Sequence, residues 1–405
     1  PVIPAQALTV CGGLQTALNL TNNEPTTILP NNTTFSWSVP GSLISLTGAS
    51  AGNALANFQQ TLTNTSNITQ TATYSVTPAT SACTGAPFNV VITVNSTPVV
   101  SNVAQTICSN DSFIITPSAS IIPAGTTYDW NAPTSPNTLS TFASGNDQST
   151  ITGTLSSSAN TDQTAVYTVT PTSTLGCVGA DFTATITVHP TPIVSDLTDV
   201  ICSGETFSVT PNNVPATNII PSNINYTWTA PTGSGFTGGS AQSNPQTSIF
   251  QTLNNTTVDP VTATYSVTPS TTFSCPGAPF NVVVTINPAP TVTFAPAPQT
   301  ICSGTAFNTV TLTSPSANVS YTWSAAPNGI TGATVTGNTD QILSEVLTNP
   351  TNASLNIVYT ATAEVIGSGC PGAPSNFIIT VHPRPNIANQ TISICSGTSF
   401  DLPPF

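Results

Sequence analysis

Cationic side chains are almost missing from this sequence. Lys and Arg together number one, Arg384, against 14 acidic residues, and charged residues make up 4% of the 405, where an average domain has about 25%. The formal charge of −13 therefore expresses absent cations more than a dense anionic surface. Phosphate contacts need Lys and Arg, so no nucleic-acid partner is expected, and attraction to anionic lipid is argued against on the same ground. Trypsin-like proteases find almost nothing to cut. No apolar run approaches the ~18 residues of a membrane-spanning helix, and no i, i+3, i+4 apolar stripe of any length marks a helix. There is no CxxC pair and His is nearly absent, which leaves zinc without ligands. No GxSxG, HExxH, phosphate-binding loop or Cys–His arrangement occurs, so neither an enzyme nor a cofactor is expected.

What is present is a repeat. The stretch 262–290, TATYSVTPSTTFSCPGAPFNVVVTINPAP, reads as two strands of alternating β-branched and aromatic residues around a cysteine-bearing loop. It recurs at 71–98, 165–192 and 357–385. Repeats set the architecture before any other feature. The boundaries are 1–97, 98–191, 192–289 and 290–384, with 385–405 opening a fifth repeat at ICSGTSF. The chain is accordingly expected to be an excerpt of a longer polypeptide.

Each repeat carries the same landmarks. A first cysteine lies in a small turn: Cys11, Cys108, Cys202, Cys302 and, in the stub, Cys395. A tryptophan follows 21 to 26 residues later: Trp37, Trp130, Trp228, Trp323. A tyrosine stands 36 or 37 residues beyond it: Tyr74, Tyr167, Tyr265, Tyr359. A second cysteine comes 9 to 11 residues on: Cys83, Cys177, Cys275, Cys370. These Trp and Tyr are expected in the core, where one aromatic ring buries roughly 150–250 Å². The pattern predicts an all-β chain of tandem antiparallel sandwiches of about seven strands each. Pro-rich junctions (STP, HPTP, NPAP, HPRP) act as semi-rigid spacers and predict an elongated rod.

Nine cysteines at regular spacing read as disulfides. Pairing within repeats (11–83, 108–177, 202–275, 302–370) closes 72, 69, 73 and 68 residues; pairing across junctions (83–108, 177–202, 275–302, 370–395) closes 25, 25, 27 and 25. The second cysteine opens the last strand and so lies at the inlet end of its domain. The first cysteine follows the inlet linker. Within-repeat pairing is expected, because the crossed partners would stand about 30 Å apart, beyond the reach of a disulfide.

The remaining polar residues point to no chemistry. His189 and His382 recur just before junction prolines, where a catalytic base is not expected. Asp196, Asp199 and Glu205 are the closest acidic grouping, read as solvated charges and short of the six oxygens a Ca²⁺ site wants. Asn-x-Ser/Thr sequences at Asn19, Asn31, Asn32, Asn64, Asn67, Asn95, Asn110, Asn254, Asn255, Asn318 and Asn352 make surface glycans an expected partner.

The succession ICSG(T/E), YTW(T/S)A, TATYSVTP, CPGAPF and NPxP resembles the PKD-like, immunoglobulin-like repeats of giant Bacteroidetes surface adhesins, including gliding-motility-associated proteins. That resemblance covers nearly all 405 residues. It implies type IX secretion, an extracellular place at the cell surface and a non-enzymatic role as stalk or filament. The expected partners are neighbouring repeats and other copies in a fibre. The alternative is an array of carbohydrate-binding modules using Phe58, Phe142 and Phe236.

Overall fold

The computed structural model describes every residue except 119–120, 134–137, 215–216, 386, 388, 390, 400 and 402–405. The stub from 385 onward lies partly outside the described residues. Among the described residues there are strands and no helix. They form two compact units, Pro1–Ile193 with Asn212–Ile224 and Ser270–Ala278, and Val194–Pro211 with Asn225–Pro269 and Pro279–Phe405.

In the first unit the first repeat builds a five-stranded sheet in the order Gln6–Cys11, Phe88–Asn95, Gln70–Ala79, Thr34–Trp37, Gly52–Leu55. The second repeat repeats it with Val103–Cys108, Phe182–His189, Gln163–Thr172, Thr127–Trp130 and Gly145–Gln148. Strictly alternating sequences explain these strands. Ala72, Tyr74 and Val76 point into the core while Thr71, Thr73 and Ser75 face out, and Phe88, Val90, Ile92 and Val94 do the same on the neighbouring strand. A second layer of short pairs, such as Ser112–Ile115 with Ile151–Thr154, closes the sandwich. The second unit carries a sheet of the same order from the third repeat and a six-stranded one from the fourth.

One pairing departs from the antiparallel expectation. The cysteine-bearing strand of each repeat, the first in all but the fourth, runs parallel to the last, with Gln6 to Cys11 opposite Val90 to Asn95, Cys108 opposite His189, Cys202 opposite Asn287 and Cys302 opposite His382. Parallel strands need a long crossover. The whole body of the repeat supplies it.

The landmark aromatics are core residues. Trp37, Trp130, Trp228 and Trp323 keep 5–8% of their surface, and Tyr74, Tyr167, Tyr265 and Tyr359 keep 0–1%. Phe113, Phe207 and Phe307 each face the tyrosine of their own repeat at 5.4–6.2 Å between ring centres. In the first repeat the strand position of Phe113 is taken by Thr16, and Phe58, the residue just before the partner strand Gln59–Thr61, packs 4.8 Å from Trp37 and 5.2 Å from Tyr74. Phe58 is thus a buried core ring and not a ligand platform. Phe142 is half-buried against the core of its repeat, and Phe236 is half-buried in a short strand pair.

Three of the four indoles also dictate a glycine. A Cβ on Gly145 would stand 2.3 Å from the Trp130 ring, and Gly52 and Gly337 meet Trp37 and Trp323 as closely. Gly145→Ala is expected to cost about 1–3 kcal/mol through overpacking. Gly41→Ala, with nothing within 4 Å, should stay within about 0.5 kcal/mol of the parent. Chemical denaturation of both variants checks this.

The phenols give a pH signature. Burial pushes Tyr74, Tyr226 and Tyr265 up to about 12, and raises Tyr167 and Tyr359 as well, the latter also through Glu345. An unfolded tyrosine ionises near ~10. The stability tied to these neutral phenols is therefore complete below pH ~10 and is lost as pH rises from there through about 12. Tyrosinate absorbance should rise together with loss of structure in that window. Ionisation near pH 10 with the fold intact would contradict the core assignment.

Candidate functional site

The chemistry of this chain is concentrated at the ends of the sandwiches, where the cysteines lie. The first cysteine of each of the four repeats ends a strand and begins a turn: Leu14 N–H donates to Cys11 O at 3.2 Å and Asp111 N–H to Cys108 O at 3.0 Å. Because that strand runs parallel to the last one, its end is the outlet of the repeat. Gly12 N–H accordingly reaches Asn95 O at 3.0 Å, and Ser109 N–H reaches His189 O at 2.9 Å. Six residues of strand carry the cysteine about 20 Å from the inlet linker.

The second cysteine sits at the opposite end. Cys177 closes a tight loop in which Ser173 N–H donates to Cys177 O at 3.0 Å and Cys177 N–H donates to Ser173 Oγ at 3.1 Å. The glycine two residues later fixes the place of this loop. A Cβ on Gly179 would lie 2.3 Å from the Pro98 carbonyl oxygen, so only glycine lets the loop lie on the inlet proline. Gly372 sits against Pro290 in the same way in the second unit.

An outlet cysteine of one repeat therefore meets the inlet cysteine of the next. Cys11 bonds Cys177, Cys108 bonds Cys275 and Cys202 bonds Cys370, with Cα–Cα distances of 5.5, 5.6 and 5.3 Å. These distances suit an ordinary disulfide. The within-repeat pairing expected from sequence is incorrect, and so is the adjacent pairing across junctions. The first cysteine does not follow the linker; a strand intervenes. Cys83 and Cys302, expected in disulfides, are free and exposed, as is Cys395. The bonded counterparts of Cys83, namely Cys177, Cys275 and Cys370, keep only 0–1% of their surface exposed, and those of Cys302 and Cys395, namely Cys11, Cys108 and Cys202, are half-buried.

Other polar groups brace these ends. His189 Nδ1 lies 2.8 Å from Asp162 Oδ1, and its ring stacks on Phe273 at 3.8 Å and 6° in the first unit. His382 Nδ1 lies 2.7 Å from Ser354 Oγ. Asn64 is buried, and its amide donates to Val94 O at 2.9 Å and Ile68 O at 2.8 Å. Asn255 makes the matching pair of bonds to Ile286 O and Asp259 O. Both lie in glycan-acceptor sequences, yet their amide hydrogens are committed to clasping the last strand. Asn19, Asn31, Asn32, Asn67, Asn110, Asn254, Asn318 and Asn352 remain exposed.

The acidic grouping disperses onto backbone donors. Asp196 Oδ1 accepts from Asn281 N–H at 2.7 Å, Asp199 Oδ1 from Val200 N–H and Glu205 Oε2 from Cys202 N–H, both at 2.9 Å. Among the described residues no three His, Cys, Asp or Glu are placed to hold a metal ion, and no helix is long and apolar enough to cross a membrane. Shallow grooves of about 570 and 600 Å³ run beside Trp130 and Trp37, lined by Asp129, Asn146 and Asp181 in one and Ser36, Asn53 and Thr77 in the other. Neither offers an open aromatic face, since both indoles are buried.

The disulfides close loops of 166 to 168 residues, each worth about 5 kcal/mol in the chain-entropy model taken singly and less in combination because the loops overlap. Thiol titration of the native, non-reduced chain should find three reactive groups, Cys83, Cys302 and Cys395. Within-repeat pairing would leave one. Reduction should lower the unfolding midpoint markedly.

No curated protein sequence matches this chain. Among solved structures it is similar to Sidekick-1 immunoglobulin domains 1–5, with 13% identity, covering 94% of this chain and 79% of that one at a TM-score of 0.29. It is also similar to a titin I-band fragment, I67–I69, with 11% identity over 71% of this chain and 97% of that one at 0.31. At such scores the assignment of a family rests on the domain matches alone. The PKD-like domain matches four times, at residues 8–98, 105–192, 199–290 and 299–385. The chain belongs to the PKD-like domain family.

Proposed function

We propose that this chain is a non-catalytic stalk or fibre segment of a large secreted cell-surface adhesin, of the kind exported by the type IX route and associated with gliding motility in Bacteroidetes. The observation that carries the reading is the set of three disulfides joining successive repeats. Disulfides persist in oxidising, extracellular settings, and a bond between neighbours serves continuity along the chain rather than the stability of one domain. The outward-facing Thr, Ser and Asn of the strands and the near absence of Lys and Arg support an exposed, protease-resistant life. The exposed Asn-x-Ser/Thr sites supply positions for glycan. Electron microscopy of the intact native protein tests the reading. Thin threads with one bead per repeat are expected. Compact particles would contradict it.

A further inference from the structure

The disulfides join repeats in a pattern with a mechanical consequence. From Cys11 to Cys370 the backbone runs 359 residues. The bonds offer a shorter covalent route: across Cys11–Cys177, along the 25 residues from Cys177 to Cys202, and across Cys202–Cys370. We propose that tension on the chain follows this route, so that residues 12–176 and 203–369 bear none of it. The sandwich cores, with their tryptophans and tyrosines, lie almost wholly in those two bypassed segments.

The route has little slack. Of its 25 residues, eight lie in the extended strand Phe182–His189 and six in Leu197–Cys202. Fully taut, 25 residues span about 90 Å, whereas 359 would span about 1,250 Å. The route passes through the last strand of one repeat and the first strand of the next, each held by a neighbouring strand along its length. Parallel pairing makes it possible, because it puts the first cysteine at the outlet. Had the disulfides closed within repeats, each junction would remain a single backbone thread, and the route from Cys11 to Cys370 would run through about 77 residues, three times as many. The inference concerns the course of tension and holds whether the chain serves as a stalk or in another setting.

The test is single-molecule extension of the whole chain, held through cysteine-free polypeptide handles at both ends. Cys83, Cys302 and Cys395 are capped beforehand with N-ethylmaleimide. Without reductant, the total lengthening should stay below about 250 Å, the limit set by the residues on the route and outside it. With a phosphine reductant, the same molecules should lengthen by more than about 1,000 Å as the four repeats unfold in turn. Cys202→Ser should give an intermediate value without reductant, because the shortest route then doubles back through Cys108–Cys275 and grows by about 140 residues, roughly 500 Å. Full-length unfolding steps in the non-reduced parent protein would overturn the proposal, whatever the variant does.

Discussion

The parallel pairing of the cysteine-bearing strand with the last strand is the constraint on which the rest depends. In a sandwich of purely antiparallel neighbours, a first strand entering beside the last would bring the chain back toward its own inlet. Here the two run the same way, and Cys11, Cys108, Cys202 and Cys302 are each delivered opposite the final residue of the last strand. The linker leaves from that same end. A cysteine placed there is within reach of the next repeat and a strand's length from the inlet loop of its own. The disulfide pattern follows from strand direction rather than from the spacing of cysteines along the chain.

Glycine and asparagine hold the two ends in register for this. Gly179 lets the Cys177 loop lie on Pro98, and the buried amides of Asn64 and Asn349 clasp the carbonyls of Val94 and Val381 near the end of the last strand. With charges nearly absent, such neutral amides do what salt bridges do elsewhere, and at a buried site a satisfied amide carries a smaller desolvation cost than an ion pair. The one contact of salt-bridge geometry among the described residues is His189 Nδ1 with Asp162 Oδ1 at 2.8 Å.

Much of the architecture was legible in the sequence, because period-2 alternation and the Trp and Tyr landmarks each report a local rule. Tyr74 and Trp37 read as core from their own surroundings. The disulfides did not, since their pairing depends on a non-local fact. The turn after the first cysteine was plain in ICSG, but the six residues before it, such as VAQTIC, alternate weakly and end in a polar turn. The strand there sets the direction of everything that follows. Phe58, a ligand-facing ring only in the carbohydrate-binding alternative, is a core ring. Its repeat position is unlike that of Phe113, Phe207 and Phe307, yet from just before the opposite strand it packs, as they do, on the tyrosine of its repeat.

The most direct measurement is mass-spectrometric mapping of the non-reduced chain after chymotryptic cleavage, with free thiols capped before denaturation. Linked peptides joining Cys11 to Cys177, Cys108 to Cys275 and Cys202 to Cys370 are the predicted result. Peptides joining Cys11 to Cys83 or Cys108 to Cys177 would contradict the account at its root, because they would require the first strand to end at the inlet.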